Sequence, residues 1–542
     1  MLEKREVCFE ILERDLLARI GRLETKSGKI ETPILLPVIN PNVQPITPRD
    51  MKDRFQIEAL ITNAYILKKK FGEKVAEKGI HKFLDFDKTV MTDSGAYQIL
   101  VYGEVETEPK QIVEYQEEID TDIAVILDVP TGWDVSRERA EKTVEETFSR
   151  AKELERIKKR DDILWVGPVQ GGEYINLIAK SAASMSNLPF HIYALGSPTP
   201  VMEQYLFDKL VDMIMAAKIN LPLNKPFHLF GAGHPFMFAL IVALGCDMFD
   251  SAAYAIFARE NRYMTERGTV KVDKLKYFPC SCPVCAKRSP KEILEMPKIE
   301  RERFLAEHNL YVCLAEIRRI KQAIREGRLW EHLILRAHSH PALLRAVKKL
   351  RDYSRFIEKF TPITKKSGLL FFSGIDLARP EVLRHEKRLL DNYSVENVRI
   401  LVLLPQTEEK PYGKSKQRKV FFKHAKKLLG SKFFEIHLCT YAAPFGVIPS
   451  EIEETYPLSQ NEVVVPLAEE MIDYVADQVR RYIISRNYDK VVLLNLSEWK
   501  GKVKESCLEA CRRKNISFLV FDAERWDSKT AKEFAVFVAK SV

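Results

Sequence analysis

Residues 34–260 alternate short, almost continuously apolar runs with longer amphipathic segments, and this alternation limits the fold more than any other sequence feature. Continuous apolar runs are typical of parallel strands that are buried on both faces. Eight strand–helix units in a stretch of this length predict an α/β fold of the TIM (β/α)8 barrel type, with an open doubly wound sheet as the alternative. The predicted strands are 34–39, 58–63, 88–93, 123–129, 164–170, 190–196, 227–233 and 246–251.

Polar or small residues end several of these predicted strands, among them Asp93, Asp128, Gln170, Gly196 and Asp250. In a barrel, such strand ends meet at one mouth, where active sites lie. A single aspartate there is often a helix N-cap, and a single glycine is often a tight turn. Neither explains three aspartates and a glutamine at the same relative position. We therefore predict a functional site at the mouth.

The three aspartates suit the cleavage of a glycosidic bond. This reaction needs a nucleophile or a stabiliser for an electron-poor sugar carbon, and it needs a proton donor for the leaving group. Two carboxylates at one mouth can divide these roles. Asp247 is a fourth candidate, but its odd offset from Asp250 within a strand predicts that it faces the opposite side.

The segment CSCPVC supplies Cys280, Cys282 and Cys285, and His308 follows further along the chain. Three thiolates and one imidazole complete a tetrahedral zinc shell with no open position, as in structural zinc sites. Three unrelated buried cysteines are the alternative. The odd total of nine cysteines fits metal binding in a reducing compartment better than a disulfide framework. We predict one structural Zn²⁺ per chain, and a closed shell argues against a zinc hydrolase.

The sequence beyond the barrel strands predicts three further parts. Residues 295–355 are predicted helices that pack outside the barrel and complete a domain at 1–360. A connecting subdomain is expected at 361–397. A smaller α/β domain with a largely parallel sheet is expected at 398–542, with strands at 398–405, 433–439, 490–496 and 517–523 and helices at 416–428, 466–485, 500–514 and 527–541.

Four motifs resemble those of tRNA-guanine transglycosylases. TDSGAYQ at 92–98 resembles DSGG[FY]Q, with Ala96 where that motif has Gly, and GPVQGG at 167–172 resembles G-x-V-Q-G-G. MFDSAAYAIFAR at 248–259 resembles the strand that carries the family's nucleophile, and CSCPVC with the later HNL resembles its zinc site. Their order and spacing agree over residues 1–350.

The resemblance implies a role for each matched residue. Asp250 would be the nucleophile that attacks the ribose C1′ to give a covalent tRNA–enzyme ester, and Asp93 would be the general acid/base for the purine proton. Arg259 and Arg262 would hold phosphates. Contacts to the edge and faces of a base suit a flipped nucleotide. The residues that would bind the base are Ser94, Tyr97, Asp128, Gln170, Gly196 and Phe230.

The long C-terminal extension resembles the archaeal branch of the family. That branch exchanges guanine at position 15, in the tRNA D-arm, for 7-cyano-7-deazaguanine during archaeosine biosynthesis. The resemblance implies tRNA and these two bases as substrates, and it implies a homodimer. Archaeal relatives usually end in an RNA-binding PUA domain, which we do not find after 536–542. We therefore expect a separate PUA-domain polypeptide to assist.

The predicted second domain carries a basic stretch at 410–427, with eight lysines or arginines and no acidic residue. Aromatic residues interleave with the basic ones, as in surfaces that bind an RNA backbone, and a solvated helix face is the alternative. The net charge of the chain, +9, permits a polyanionic partner without establishing one. The predicted tRNA contacts in this stretch are Lys410, Lys414, Lys416, Arg418 and Lys419.

Two other functions remain open from the sequence. The basic stretch also resembles a motif of archaeosine synthase, a paralogue that acts on the inserted base, but Gln406 and Arg418 replace its Cys and His. A non-catalytic tRNA-binding subunit is the second alternative, and the intact pair of Asp93 and Asp250 argues against it. With no signal peptide and no apolar span of ~20 residues, we expect a cytoplasmic protein without a membrane partner.

Overall fold

The eight apolar runs form a closed parallel barrel in the computed structural model, which describes residues 9–96, 108–396 and 398–542. All eight predicted barrel strands are confirmed, and the eighth strand pairs with the first to close the ring. The TIM-barrel prediction is therefore confirmed. The strands, first to eighth, are Ile34–Ile39, Ala59–Asn63, Thr89–Asp93, Ile123–Val125, Leu164–Val169, Ile192–Leu195, Phe227–Leu229 and Met248–Ser251.

The barrel strands are buried on both faces. Side chains such as Leu36, Ile61, Met91 and Val166 form one apolar cluster inside the ring. Helices follow the strands and cover the outside, as the barrel fold requires. These helices are Pro48–Phe55, Ala64–Lys78, Ile80–Leu84, Pro109–Glu118, Arg137–Ile157, Ile175–Met185, Thr199–Glu203, Phe207–Asn220, Pro235–Ala243 and Ala253–Arg259.

An antiparallel sheet that the sequence patterns do not predict precedes the barrel, with strands Phe9–Asp15, Ala18–Thr25 and Gly28–Thr32. Its side chains join the apolar cluster inside the barrel, so the sheet covers the amino ends of the barrel strands. Asp247 directly precedes the eighth barrel strand and lies at this end, away from the mouth. Its Oδ1 accepts a hydrogen bond from Arg19 Nε at 2.7 Å, and its Oδ2 accepts one from the Phe227 amide at 2.8 Å.

Helices after the eighth barrel strand complete the first of two compact units, Met1–Phe356. The long helix Lys298–Glu326 packs against Ala253–Arg259, the helix that directly follows this strand. A hairpin that the sequence patterns do not predict, Arg262–Thr265 with Gly268–Lys271, also contacts the long helix. The remaining helical segments are Val272–Lys274, Cys285–Lys287, Pro290–Glu295, Leu329–Ala337, Pro341–Lys349, Leu350–Tyr353 and Ser354–Phe360.

The second unit, Ile357–Val542, is built on a five-stranded sheet. Four of its strands are parallel, and Gly446–Pro449 is an antiparallel edge. In sheet order, the strands are Gly446–Pro449, Ile436–Ala442, Ile400–Pro405, Lys490–Leu496 and Ser517–Ala523. The main helices are Pro380–Asp391, Lys416–Leu429, Glu469–Ser485, Lys502–Lys514 and Ser528–Ser541, with helical turns at Gly374–Ala378, Tyr412–Lys414, Gly430–Glu435 and Ser497–Trp499.

The segment 361–397, which the sequence predicts as a connecting subdomain, contributes directly to the second unit. Its strand Leu369–Phe371 pairs with Asn461–Val463 in parallel. Leu369, Val382 and Leu389 belong to the same apolar core as the five-stranded sheet. Among the described residues, no helix is both long and apolar enough to cross a membrane.

Candidate active site

The mouth of the barrel brings together the residues that the strand-end pattern singles out. Asp93 is the last residue of the third strand, and Asp250 lies within the eighth. Asp128, Gln170 and Gly196 follow the fourth, fifth and sixth strands within three residues. Because all eight strands run in the same direction, these positions converge at one end of the ring.

Asp250 is buried and held by two donors. Its Oδ1 accepts a hydrogen bond from His228 Nε2 at 2.8 Å and one from the Gly231 amide at 3.2 Å. His228 is wholly buried and lies in the seventh strand, and the sequence analysis does not single it out. Its signal is a polar residue in an otherwise apolar strand, two residues before Phe230.

Asp93 has an environment that favours its protonated form. Its Oδ2 accepts hydrogen bonds from Asn63 Nδ2 at 3.1 Å and from the Gly95 amide at 3.3 Å. Burial, and then the charges of Asp128 and Asp250, raise the pKa of Asp93 to about 7. A carboxyl group with this pKa can give or take a proton near neutral pH.

Asp128 and Gln170 form one hydrogen-bonded unit. Gln170 Nε2 donates to Asp128 Oδ2 at 2.5 Å, while its Oε1 accepts from the Thr131 amide and from Ser197 Oγ, both at 3.0 Å. Burial raises the pKa of Asp128 to about 6, and the bond from Gln170 offsets part of this effect. At Gly196, a Cβ atom would lie 2.1 Å from Gln170 Nε2, so a side chain here would displace the glutamine.

Two further base-binding candidates directly follow other barrel strands, Ser94 the third and Phe230 the seventh. Ser94 is buried, and among the described residues its Oγ has no hydrogen-bond partner. Phe230 is half-buried, with its ring centroid 4.7 Å from that of His228. Tyr97, the third candidate, lies outside the described residues.

The two arginines that follow the eighth strand lie at the surface in ion pairs. Arg259 Nε is 3.1 Å from Glu302 Oε1, and Arg262 Nε is 3.1 Å from Glu260 Oε2. The Arg262 guanidinium also lies over the ring of Phe257, 5.5 Å from its centroid. Both carboxylate partners are accessible to solvent, so a phosphate could compete for either arginine.

The four predicted metal ligands cluster. One ligand atom from each of Cys280, Cys282, Cys285 and His308 lies within 4.8 Å of the other three. His308 Nδ1 is 3.2 Å from Cys285 Sγ and 3.6 Å from Cys282 Sγ. This arrangement of three sulfur atoms and one imidazole nitrogen could hold a metal ion.

Contacts with residues outside the cluster orient His308 toward the thiols. Its Nε2 lies 2.8 Å from the Met264 carbonyl oxygen and donates to it, which leaves Nδ1 free to face the sulfur atoms. The Tyr263 ring stacks on the imidazole at a centroid distance of 3.5 Å, and its hydroxyl lies 3.4 Å from Cys285 Sγ. The hairpin Arg262–Thr265 with Gly268–Lys271 therefore supports the cluster.

The predicted tRNA contacts of the second unit differ in exposure. Lys414, Lys416 and Lys419 are exposed, whereas Lys410 is half-buried and donates to the Asn461 carbonyl at 2.9 Å. Burial lowers the pKa of Lys410.

The sequence analysis predicts Arg418 as a surface residue that contacts tRNA, and the structure corrects this prediction because the side chain is buried. It is 4% exposed, and its Nη2 donates to Ser450 Oγ at 2.7 Å and lies 3.6 Å from Glu453 Oε2. Arg418 shares a helix face with Phe421, Ala425 and Leu429, which are buried. The helical period thus turns this one basic residue inward.

Comparison with known proteins shows which family has these features. The family described as queuine tRNA-ribosyltransferase matches residues 15–342, more than half of the chain. A second family, described as a domain of unknown function, matches residues 382–532. The first match includes the whole barrel and the cysteine–histidine cluster.

Curated relatives are similar over most of the chain. A tRNA-guanine(15) transglycosylase of Methanocaldococcus jannaschii is 47% identical, over 88% of this chain and 71% of the relative. Proteins with the same name from Sulfolobus acidocaldarius and Methanosarcina mazei are 40% and 44% identical, over 90% and 83% of this chain and 95% and 86% of their own lengths. The chain therefore belongs to the tRNA-guanine transglycosylase family of tRNA-ribosyltransferase enzymes.

Proposed function

We propose that this enzyme exchanges guanine at position 15 of tRNA for 7-cyano-7-deazaguanine through a covalent aspartyl–tRNA intermediate, as a step of archaeosine biosynthesis. The observation that carries the proposal is the pair of carboxyl groups at the barrel mouth. Asp250 Oδ1 accepts two hydrogen bonds, while the pKa of Asp93 is raised to about 7. Two carboxyl groups in such different environments suit a nucleophile and a proton donor. The name shared by the archaeal relatives supports position 15.

The proposed reaction has two matched halves. The Asp250 carboxylate forms a bond to the ribose C1′ while the bond from C1′ to guanine N9 breaks, and Asp93 gives its proton to the leaving base. The incoming base then returns a proton to Asp93 and attacks C1′, which releases the Asp250 carboxylate. Asp93 and Asp250 end in the states in which they began, so the exchange needs no other reactant.

The unit of Asp128 and Gln170 is proposed to read the edge of the base. A carboxylate accepts hydrogen bonds, and an amide both donates and accepts, which matches the mixed donors and acceptors of a guanine edge. The Gly196 backbone and Ser94 Oγ are further polar partners, while Phe230 and Tyr97 are proposed to stack on the ring. The bond at 2.5 Å between Asp128 and Gln170 fixes both groups before a base arrives.

The cluster of Cys280, Cys282, Cys285 and His308 is proposed to hold one structural Zn²⁺. Three thiols and one imidazole nitrogen that converge within 4.8 Å fit this ion and leave it no open position. When bound, the ion would link the cysteine loop to the helix Lys298–Glu326. It has no part in the proposed chemistry.

The tRNA backbone is proposed to contact Arg259, Arg262, Lys414, Lys416 and Lys419. These side chains lie at the surface of their units and can reach phosphates. The half-buried Lys410 is the weakest of the predicted contacts, and Arg418 leaves the set. A homodimer and a separate PUA-domain polypeptide stay predictions.

Base exchange with labelled guanine tests the proposal. We expect the enzyme to incorporate label into a tRNA transcript with guanine at position 15, and not into a transcript with adenine there. A chase with 7-cyano-7-deazaguanine should release the label, and nucleoside mass mapping should find the new base at position 15. Incorporation that survives the substitution at position 15 would reject the proposed position. No incorporation into either transcript, by a folded protein that binds tRNA, would reject the exchange activity.

A further inference from the structure

The seventh barrel strand places a histidine directly against the proposed nucleophile. His228 is 0% exposed, and its Nε2 lies 2.8 Å from Asp250 Oδ1. An ionised carboxylate can only accept a hydrogen bond, so Nε2 carries the proton that this contact needs. Among the described residues, the other ring nitrogen, Nδ1, has no hydrogen-bond partner. Among the described residues, the one hydrogen bond of the His228 ring is therefore the bond to Asp250.

A second donor reaches the same carboxylate oxygen. The amide of Gly231, which has a φ of 75°, lies 3.2 Å from Asp250 Oδ1. Among the hydrogen bonds of the described residues, none involves Asp250 Oδ2. The two oxygens of the carboxylate are therefore not equivalent, since Oδ1 is fixed and Oδ2 is available.

We propose that His228 is a positioning residue that holds Oδ1 of Asp250, so that Oδ2 is the oxygen that attacks the ribose C1′. This inference rests on the proposed function, because it takes Asp250 as the nucleophile. In the first half-reaction, Oδ2 forms the bond to C1′ and the electron pair of the C1′–N9 bond leaves with the base. Oδ1 becomes the carbonyl oxygen of the ester and still accepts both hydrogen bonds.

The hydrogen bonds to Oδ1 should favour both half-reactions, for two different reasons. A carboxylate oxygen accepts more strongly than an ester carbonyl, so His228 stabilises Asp250 more after release than in the adduct. Loss of the donor should make the carboxylate intrinsically more reactive, but it should still slow adduct formation, because the attacking oxygen is no longer oriented and this effect is the larger one. It should also slow release of the adduct, because the departing carboxylate loses a donor. A residue that only supports the fold would not change these two rates while leaving base affinity constant.

Substitutions that remove or keep the donor test this role. His228→Phe and His228→Met remove it, whereas His228→Gln keeps a side-chain N–H. We expect the donor-free variants to lose about tenfold to hundredfold in the single-turnover rate of adduct formation, the order of effect that a misoriented reacting group produces. Release of the adduct by guanine should slow as well, with the KM for guanine changed by less than about twofold. His228→Gln should recover most of both rates.

A second barrel histidine supplies the matched control. His191 precedes the sixth strand, and its Nδ1 accepts from the Trp165 amide at 3.0 Å, at the other end of the barrel. His191→Phe should keep the parent rates. The inference is overturned if both donor-free variants keep the parent rates of adduct formation and release. It is also overturned if His228→Gln is as slow as His228→Phe while both melt at the parent temperature. Asp250→Asn separates the two claims, because an adduct in that variant rejects the proposed nucleophile whatever His228 does.

Discussion

At the scale of single residues, the barrel mouth gives chemically identical side chains different properties. Asp93 and Asp128 are both aspartates whose pKa is raised mainly by burial, to about 7 and about 6. Asp93 and Asp250 each accept two hydrogen bonds on one oxygen, but the shorter bond to Asp250 comes from the His228 ring at 2.8 Å, whereas that to Asp93 comes from the Asn63 amide at 3.1 Å. Environment, and not residue type, therefore distinguishes the proposed proton donor from the proposed nucleophile.

The pKa of Asp93 predicts the pH dependence of adduct formation. As the proposed general acid, Asp93 acts only in its protonated form, so the rate should fall about tenfold per pH unit above a pH of about 7. The single-turnover rate of adduct formation, measured at pH values from about 5.5 to about 9, gives this profile. Asp93→Asn should be slow at every pH. A flat profile for the parent enzyme up to pH 9, about two units above that pKa, would contradict the assignment.

The same carboxyl group should lower the stability of the fold at high pH. The pKa of Asp93 in the folded protein, about 7, exceeds the ordinary value of 3.8, so folding takes up a proton between these values. Stability therefore falls as pH rises from 3.8 to about 7, and the full cost is present above that range. Asp93→Asn should raise the free energy of unfolding at pH 8 by about 1–3 kcal/mol, with little effect at pH 4. Denaturant unfolding at both pH values checks this, and equal gains would reject it.

We expect Gly196 to affect base recognition, because its lack of a side chain leaves space for Gln170. A Cβ atom would meet Gln170 Nε2 at 2.1 Å and its Cδ at 2.7 Å. Gly196→Ala should therefore disturb base recognition and raise the KM for guanine by about tenfold or more, the effect of losing a buried hydrogen bond. Exchange kinetics at saturating tRNA measure this, with unfolding temperature as the control for folding. An unchanged KM would show that Gln170 does not bind the base.

At the scale of elements, the sequence predicts those strands and helices that have continuous or periodic apolar patterns. All eight barrel strands are where unbroken apolar runs lie, although 123–129, 190–196 and 227–233 shorten to Ile123–Val125, Ile192–Leu195 and Phe227–Leu229. The last residues of these predicted strands lie outside the hydrogen-bonded sheet, at the mouth of the barrel. The amino-terminal sheet is missed because its first strand, FEILERD, alternates half-buried and exposed residues and has no continuous core run.

Side-chain partners inside the site could not be predicted in the same way. His228 lies in an apolar strand, where a histidine is usually a core residue, and only the pairing of the seventh and eighth strands brings it to Asp250. Asn63 likewise reaches Asp93 across paired strands. The buried position of Arg418 was readable from its spacing to Phe421, Ala425 and Leu429 on one helix face, but the basic composition of the stretch masked it.

We expect the cysteine–histidine cluster to stabilise the loop that carries the cysteines and to have no direct effect on the reaction. Cys282→Ser removes one thiol from a group that converges within 4.8 Å, so the variant should lose its metal and unfold at a lower temperature. Below that temperature, the KM for guanine should be unchanged. Metal analysis of the parent should find one zinc per chain. A folded parent protein without zinc would reject the site.

At the scale of the whole molecule, the chain joins a barrel unit that carries the proposed chemistry to a second α/β unit that carries exposed lysines. Within the described part of helix Lys416–Leu429 and the preceding turn, Lys414, Lys416 and Lys419 are exposed and take part in no ion pair. Unpaired surface lysines cost little to bring to a phosphate, since no carboxylate must be displaced. The second unit is therefore suited to bind tRNA electrostatically.

This division predicts a separable effect on tRNA affinity. Changing Lys414, Lys416 and Lys419 together to Ala should weaken tRNA binding and reduce the slope of log K against log salt by about 2 to 3. The rate of adduct formation at saturating tRNA should stay at the parent value. A matched triple change of Lys142, Lys152 and Lys180, exposed on outer helices of the barrel unit, is the control for total charge. Equal salt slopes for the two triple variants would reject the binding role.

The most direct test of the central claim is whether Asp250 becomes covalently attached to tRNA. Denaturing gel electrophoresis of enzyme incubated with tRNA in the absence of free base should show a slowly migrating adduct for the parent protein. Asp250→Asn, which keeps the size of the side chain, should still bind tRNA under native conditions but give no adduct after denaturation. A denaturation-resistant adduct in Asp250→Asn would contradict the account.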